Sequence, residues 1–398
     1  MARDSSTRIE VGKRLCHADD TIPPLAFAEK QEVVRQTRRG FMGVASAALA
    51  APFISTRVTR ALAAADRPKL GWAICGLGGL STNQIAPALT RTEHCRLTGI
   101  ITDTPAKAQD WKSRYGIADR NVYSYDQMDR LAENRDIDVV YIVTPNALHA
   151  EQTLRCAKAG KHVFCEKPME VSTQKCQQMI DACRKAKRLL GVAYRCQFEP
   201  NHLECMRLAR EREFGPVRII EAGFGVDIGA PGQWRLKRAL SGGGALMDVG
   251  IYALQATRYL TGEEPILVSG TESKTDPAKY AEVDETVTWE ARFPGGALAY
   301  CMASYSVPGI ARFRASAERG WFELDPAFYY SGNHGRRSDG KEINLPSGDQ
   351  FAAEMDDFSR CILTGQPSKI SGEEGLRDVR IMLAIYESIR TGTAVKLT

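Results

Sequence analysis

The run Val139-Val140-Tyr141-Ile142-Val143-Thr144 is followed by Pro145-Asn146, by Leu148-His149-Ala150, and then by His162-Val163-Phe164-Cys165-Glu166-Lys167-Pro168. Two short, β-branched and almost uncharged runs flank a helix-like segment, which is the pattern of buried strands in a parallel sheet. Both runs end in polar residues. In open α/β sheets ligands bind beyond the carboxyl ends of the strands, so Thr144, Asn146 and Lys167 are expected to face a ligand crevice. Lys167, held before a proline at the end of a buried strand, is a candidate for catalysis.

Upstream, residues 69–75 read as a first strand, followed by Gly76-Leu77-Gly78-Gly79-Leu80-Ser81 and a helical pattern through Ile85 and Leu89. This is a dinucleotide fingerprint with serine in the third glycine position. The glycines allow a tight turn and close approach of backbone to a pyrophosphate, and the helix start supplies N–H donors to the anion. A second strand over 97–102 ends at Thr102, where NAD enzymes usually carry a carboxylate for the ribose hydroxyl. Thr102 is uncharged, Asp103 comes one residue later, and Lys107 can pair with a 2′-phosphate. NADP is therefore expected over NAD.

Further β and α runs alternate over 121–125, 127–132, 137–144, 172–187 and 189–195, predicting a doubly wound sheet. After Arg195 the pattern changes. A helix is expected over 200–213, then long β runs over 217–224, 265–271, 286–293, 297–307 and 312–324, which suit a large, mostly antiparallel open sheet. Among them Ser241-Gly242-Gly243-Gly244 opens a helix carrying Asp248 and Tyr252, four apart and so on one face. The expected division is a leader over 1–65, a dinucleotide-binding Rossmann domain over 66–190, and a substrate-binding and dimerisation α/β domain over 191–398.

Of the net charge of +5 over 398 residues, residues 1–65 hold a surplus of +4 and the body only +1. With no basic stripe, nucleic acid is not an expected partner. Thr37-Arg38-Arg39-Gly40-Phe41-Met42 precedes an uncharged, alanine-rich run broken by Pro52, with small residues at Ala61, Ala63 and Ala65. This resembles a twin-arginine export signal and is a poor membrane span. A folded, periplasmic protein without a membrane anchor is expected. The eleven cysteines lack zinc spacing and contain no C-x-x-C. They read as small buried hydrophobes, and no metal is expected.

These motifs together resemble the glucose–fructose oxidoreductase/inositol dehydrogenase (Gfo/Idh/MocA) family over about residues 67–398. The motifs are Gly76-Leu77-Gly78, Thr144-Pro145-Asn146 with His149, Cys165-Glu166-Lys167-Pro168, and Gly243-Gly244 through Asp248. Tyr194-Arg195-Cys196, Gln233-Trp234-Arg235-Leu236 and Gly250-Ile251-Tyr252 point to its exported aldose-oxidising branch. The resemblance implies hydride transfer between a nicotinamide cofactor and a sugar. It implies Lys167, Tyr252 and Asp248 as catalytic residues, with Arg195 also at the substrate. Gly79, Leu80, Glu166, His149, Trp234 and Arg235 join the fingerprint, Thr102, Lys107, Thr144 and Asn146 around the cofactor. The expected reaction oxidises an aldose at C1 to a lactone. The hydride then passes from a tightly bound NADP to a second sugar in ping-pong fashion. Tyr252 is expected as the general base, its phenol pKa lowered by Lys167. An ordinary dehydrogenase with exchangeable cofactor and a redox-assisted glycosidase are the alternative activities, and a cofactor-binding protein without turnover is the non-enzymatic one. Because only a few residues separate Ala65 from the first strand, a sheet-to-sheet homodimer is expected rather than an arm-linked homotetramer.

Overall fold

A computed structural model describes residues 69–397. The leader, its Arg38-Arg39 pair and Cys16 lie outside the described residues. Six parallel strands form the first sheet: β1 (Leu70–Cys75), β2 (Cys95–Ile101), β3 (Val122–Tyr123), β4 (Val139–Ile142), β5 (His162–Glu166) and β6 (Leu190–Ala193). Their order is β3-β2-β1-β4-β5-β6, so the chain reverses direction across the sheet between β1 and β4. That reversal opens a crevice at the carboxyl ends of the central strands. β1, β4 and β5 are buried on both faces, as their unbroken apolar runs require. Beneath them Trp72, Tyr141, Phe164 and Phe358 pack ring against ring, with Tyr141 and Phe164 centroids 4.8 Å apart.

β6 carries the first domain through Ala193, slightly past residue 190. The second sheet has nine strands. Its centre is β7 (Val217–Gly225), β8 (Leu267–Ser273), β9 (Thr286–Arg292), β10 (Leu298–Ser304), β11 (Ala311–Ala317) and β12 (Gly320–Leu324). It is antiparallel except where β7 and β10 run parallel. Period-two alternation decides its faces. Ile220, Ala222, Ala299, Cys301, Phe313 and Ala315 turn inward and are buried, while Ile219, Tyr300 and Met302 lie on the open face. The stretch 312–324, expected as one run, is a hairpin: Glu318 and Arg319 turn the chain between β11 and β12.

Two C-terminal helices, Gln350–Thr364 and Gly372–Thr391, return to the first domain. Ser359 accepts from the Trp72 indole at 3.1 Å, and Asp356 accepts from the backbone N–H groups of Glu93 and His94. The two sheets are thereby clamped across the crevice. All ten described cysteines are free and buried, as expected of small core residues. Among the described residues no helix is long and apolar enough to cross a membrane.

Candidate active site

The crevice has a volume of about 760 Å³, within the range of pockets that bury a ligand of cofactor size. At one end stands the fingerprint loop. Gly76 has φ +96°, and a Cβ there would meet the Val143 carbonyl oxygen at 2.6 Å, so only glycine fits between β1 and β4. Gly78 is different: a Cβ there would touch nothing within 4 Å. Its freedom is not needed for packing, and it leaves backbone open to the crevice. The Ser81 hydroxyl turns back to the Gly76 carbonyl at 2.5 Å and fixes the loop. Gly79 and Leu80 complete this wall.

At the end of β2, Asp103 accepts the Tyr125 backbone N–H at 2.8 Å. Its carboxylate is thus engaged in holding a turn. Lys107 reaches across to the Leu77 carbonyl at 3.0 Å, placing an ammonium at the fingerprint loop, and Thr102 lines the same crevice. An open glycine cradle with one cation beside it fits a dinucleotide phosphate, so the residues present suit the expected cofactor.

The strand ends supply the other wall. Thr144 and Asn146 line the crevice, with Thr144 donating to Gln152 at 2.7 Å and Asn146 to the Ser241 carbonyl at 2.8 Å. His149 does not line it. The ring is fully buried, with Nε2 2.9 Å from the Thr144 carbonyl and Nδ1 3.2 Å from those of Pro168 and Met169. Its place is therefore not against a cofactor, as the motif suggested. It ties the loop after β4 to the loop after β5, because a buried ring between carbonyls is held by those carbonyls.

Lys167, at the end of β5, donates to the Asp248 carbonyl at 2.7 Å, lies 3.4 Å from the Asp248 carboxylate, and stands 4.7 Å over the Tyr252 ring. Asp248 and Tyr252 come from the glycine-opened helical segment. A Cβ at Gly244 would overlap the Asp284 carbonyl, while the Asp284 carboxylate accepts from the N–H groups of Gly244 and Leu246. The glycine run thus lets this segment dock closely on another backbone. Asp248 also accepts from Arg235 at 3.0 Å and from the Tyr305 hydroxyl at 3.1 Å. Burial would raise its pKa, but Arg235, Lys167 and the Tyr305 hydrogen bond outweigh burial and hold the carboxyl below the usual range. Arg235 stacks 4.6 Å from the Trp234 ring.

The phenol departs from expectation. Burial pushes the Tyr252 pKa upward, and the cation at its hydroxyl is Arg195, donating at 3.2 Å, not Lys167. Lys167 faces the ring instead, because its ammonium is drawn to Asp248. Arg195 is itself fixed by the carbonyls of Phe328 and Tyr329 and by Gln350. Sequence reasoning missed Tyr305, which directly follows β10, and the Phe328-Tyr329-Tyr330 run, which forms an aromatic rim. Three successive aromatics after Pro326 were the available signal. Glu166 lines the wall beside Lys167 and accepts from Tyr141 at 2.8 Å.

Two profiles match the chain: an oxidoreductase family with an NAD-binding Rossmann fold over residues 70–194, and the GFO/IDH/MocA C-terminal domain over residues 202–323. A D-xylose 1-dehydrogenase [NADP(+)] of Haloarcula marismortui is 31% identical over 343 residues, covering 84% of this chain and 94% of that protein. The chain belongs to the GFO/IDH/MocA oxidoreductase family. Among solved structures of similar proteins, aldose-aldose oxidoreductase from Caulobacter crescentus complexed with glycerol is 44% identical, with a TM-score of 0.80, covering 83% of this chain and all of that one. A 3-ketoreductase from Actinomadura kijaniata in complex with TDP-benzene and NADP has a TM-score of 0.71 at 23% identity, covering 82% of this chain and 98% of that one, a likeness of fold alone. In this oxidoreductase the crevice lies at the β1/β4 reversal of an NAD-binding Rossmann fold, with residues of the second domain lining its far side.

Proposed function

We propose that the chain is an NAD(P)-dependent sugar oxidoreductase. It oxidises an aldose at C1 to a lactone and passes the hydride, through one tightly held NADP, to a second sugar, giving an alditol. The observation that carries this reading is the meeting of Lys167, Asp248, Tyr252 and Arg195 at one point of a crevice that is continuous with the fingerprint loop. The aldose-aldose oxidoreductase of Caulobacter crescentus, at 44% identity, supports the sugar class. Lys107 near Thr102, with Asp103 engaged by Tyr125, supports NADP.

In this reading the Gly76 to Ser81 loop holds the pyrophosphate, and Thr102 and Lys107 hold the adenosine ribose and its phosphate. The bound nicotinamide supplies the hydride acceptor and donor. Lys167 and Asp248 hold the reacting hydroxyl, the first by donating and the second by accepting. Tyr252 moves the proton at that oxygen, and Arg195 orients the phenol. Tyr329, Tyr330 and Trp234 give apolar faces for the C–H surfaces of a sugar and exclude water. With its pKa pushed up by burial, Tyr252 rests protonated. It is ready to donate in the reductive half-reaction, and in the oxidative half it takes the sugar's proton only as its own passes on to a second base.

Tight retention goes with the leader. An exported protein meets little free NADP, so export by the twin-arginine machinery with cofactor already bound, to the periplasm, fits a closed cycle between two sugars. The open face of the nine-stranded sheet, bearing the exposed Ile219, Tyr300 and Met302, suits a sheet-to-sheet homodimer. Mixing NADP-loaded protein with one aldose tests the reading. Nicotinamide absorbance should rise and then return to its starting value when a second sugar is added. The xylose dehydrogenase relative at 31% identity favours the simpler alternative, a dehydrogenase that exchanges its cofactor. That alternative predicts no return.

A further inference from the structure

Behind the crevice wall the Tyr141 hydroxyl donates to Glu166 at 2.8 Å. Glu354, from helix Gln350–Thr364, is in electrostatic contact with Tyr141, Glu166 and Arg195. It is fully buried, and neither of its carboxyl oxygens makes a hydrogen bond. A buried carboxylate without a partner is too costly to persist, and such a group keeps its proton instead. Burial, reinforced by the charge of Glu166, pushes Glu354 well above the ordinary carboxyl range. Glu166 accepts from Tyr141 and from the Lys167 backbone N–H, which marks it as the ionised member. It faces Lys167 and Arg195, lines the crevice, and is itself shifted upward by burial.

The reaction needs such a group. Oxidation of an alcohol carbon breaks one C–H and one O–H bond. The hydride leaves to an oxidised nicotinamide, the carbonyl forms, and one proton must be placed. Asp248 is held ionised by Arg235 and Lys167 and does not keep a proton at neutral pH. Tyr252 already carries one. Two carboxyl groups in electrostatic contact titrate as a unit, and Glu166 is the member that opens on the crevice.

We propose that Glu166 and Glu354 form an acid pair that holds one proton in the resting enzyme and a second between the two half-reactions. The proton freed from the first sugar then stays in the protein until the second sugar is reduced. The role of Glu354 is storage, exerted through Tyr141 and Glu166, and this part rests on the two-sugar reading above.

Infrared spectra of the purified protein test the resting state. The carbonyl stretch of a neutral carboxylic acid should persist at mildly alkaline pH and disappear in Glu354→Gln, while Glu166→Gln should keep it. No such band in the parent protein, or an unchanged band in Glu354→Gln, overturns the pair. Proton release tests the second step. NADP-loaded protein is mixed with one aldose and no second sugar, in dilute buffer with a pH indicator, while nicotinamide reduction is followed. The parent should reduce nicotinamide without matching acid release, and Glu166→Gln, which removes the acceptor of the second proton, should release protons stoichiometrically. Stoichiometric release by the parent overturns storage. If no aldose reduces the nicotinamide, the two-sugar reading fails, and the infrared result still decides the acid pair.

Discussion

Arg195 donates its Nε hydrogen to the Tyr252 hydroxyl at 3.2 Å, and the same guanidinium lies 4.7 Å from the centre of that ring. The guanidinium is buried and anchored on three other sides by Phe328, Tyr329 and Gln350. The direction of the phenol is therefore set by a rigid cation just past the last strand of the first sheet, while the ring belongs to the glycine-opened helix of the second domain. Arg195→Lys keeps the charge but lacks the fork that makes these contacts together. It should lower kcat with little loss of bound cofactor. It should also move the alkaline limb of the rate profile upward, because the Arg195 hydrogen bond that holds the phenol pKa down against burial is lost while the charge stays. An unchanged limb would place the proton carrier elsewhere.

Tyr252→Phe keeps the ring, its contact with Phe224 and its place under Lys167. Only the proton carrier goes. Positioned acid–base groups contribute on the order of 10²- to 10⁴-fold, and the rate of nicotinamide reduction by an aldose should fall by that much. Lys167→Ala should fall comparably. Both proteins should still carry cofactor when denatured and extracted.

Asp248 offers a test on the acid side. Its folded pKa lies below the ordinary aspartate value of about 3.9 because Arg235 and Lys167 overcome burial. Its stabilising contribution is thus complete above that value and is lost only as pH falls through the lower folded one. Asp248→Asn preserves shape but leaves Arg235 and Lys167 facing each other without the carboxylate. Thermal stability near neutral pH should drop, and the gap to the parent should close as the solution is acidified through the range below the ordinary aspartate pKa.

Glu354 behaves in the opposite sense. A carboxyl whose folded pKa is raised stabilises fully below its unfolded pKa and loses that contribution as pH rises towards the folded value. The loss is about 1.4 kcal/mol per pH unit. The parent should therefore lose melting temperature from mildly acidic to alkaline pH, and Glu354→Gln should flatten that slope. Parallel curves for the two proteins would show that Glu354 is not held neutral.

Cofactor choice turns on Lys107, whose ammonium donates to the Leu77 carbonyl in the crevice that Thr102 also lines. A hydrogen bond to a charged group is worth about 1.5–3 kcal/mol, or roughly 10- to 100-fold in affinity. Lys107→Ala should weaken NADP by that factor and leave NAD nearly unchanged, and Thr102→Asp should tilt preference further to NAD. Equal losses for both cofactors in calorimetric titration would remove Lys107 from phosphate recognition.

Much of this was legible in the chain because it depends on local pattern. Strands β1 and β4 are buried on both faces and carry no charge, and β5 meets its carboxylate only at its last residue, Glu166. Gly76 is dictated by the chain leaving β4 beside it, where the Val143 carbonyl leaves no room for a Cβ. Asp248 and Tyr252 share a face by helical spacing alone. What was hidden depends on distant contacts. Asp103 turns to Tyr125, and Lys167 turns to the Asp248 carbonyl, for reasons no neighbouring residue reveals. His149 sits in a helix that reads as crevice-lining, but the cis-linked loop after β5 closes over it. Glu354 looks like the polar side of an amphipathic helix, yet that helix folds back under the first sheet, where its carboxyl is sealed from water.

A closed cycle between two sugars requires the cofactor to stay bound, which prolonged dialysis followed by assay without added cofactor measures. Dialysed protein should still convert an aldose when a second sugar is present, with parallel initial-rate lines for the two sugars. Protein that is inactive until NADP is added, with converging lines, would contradict it.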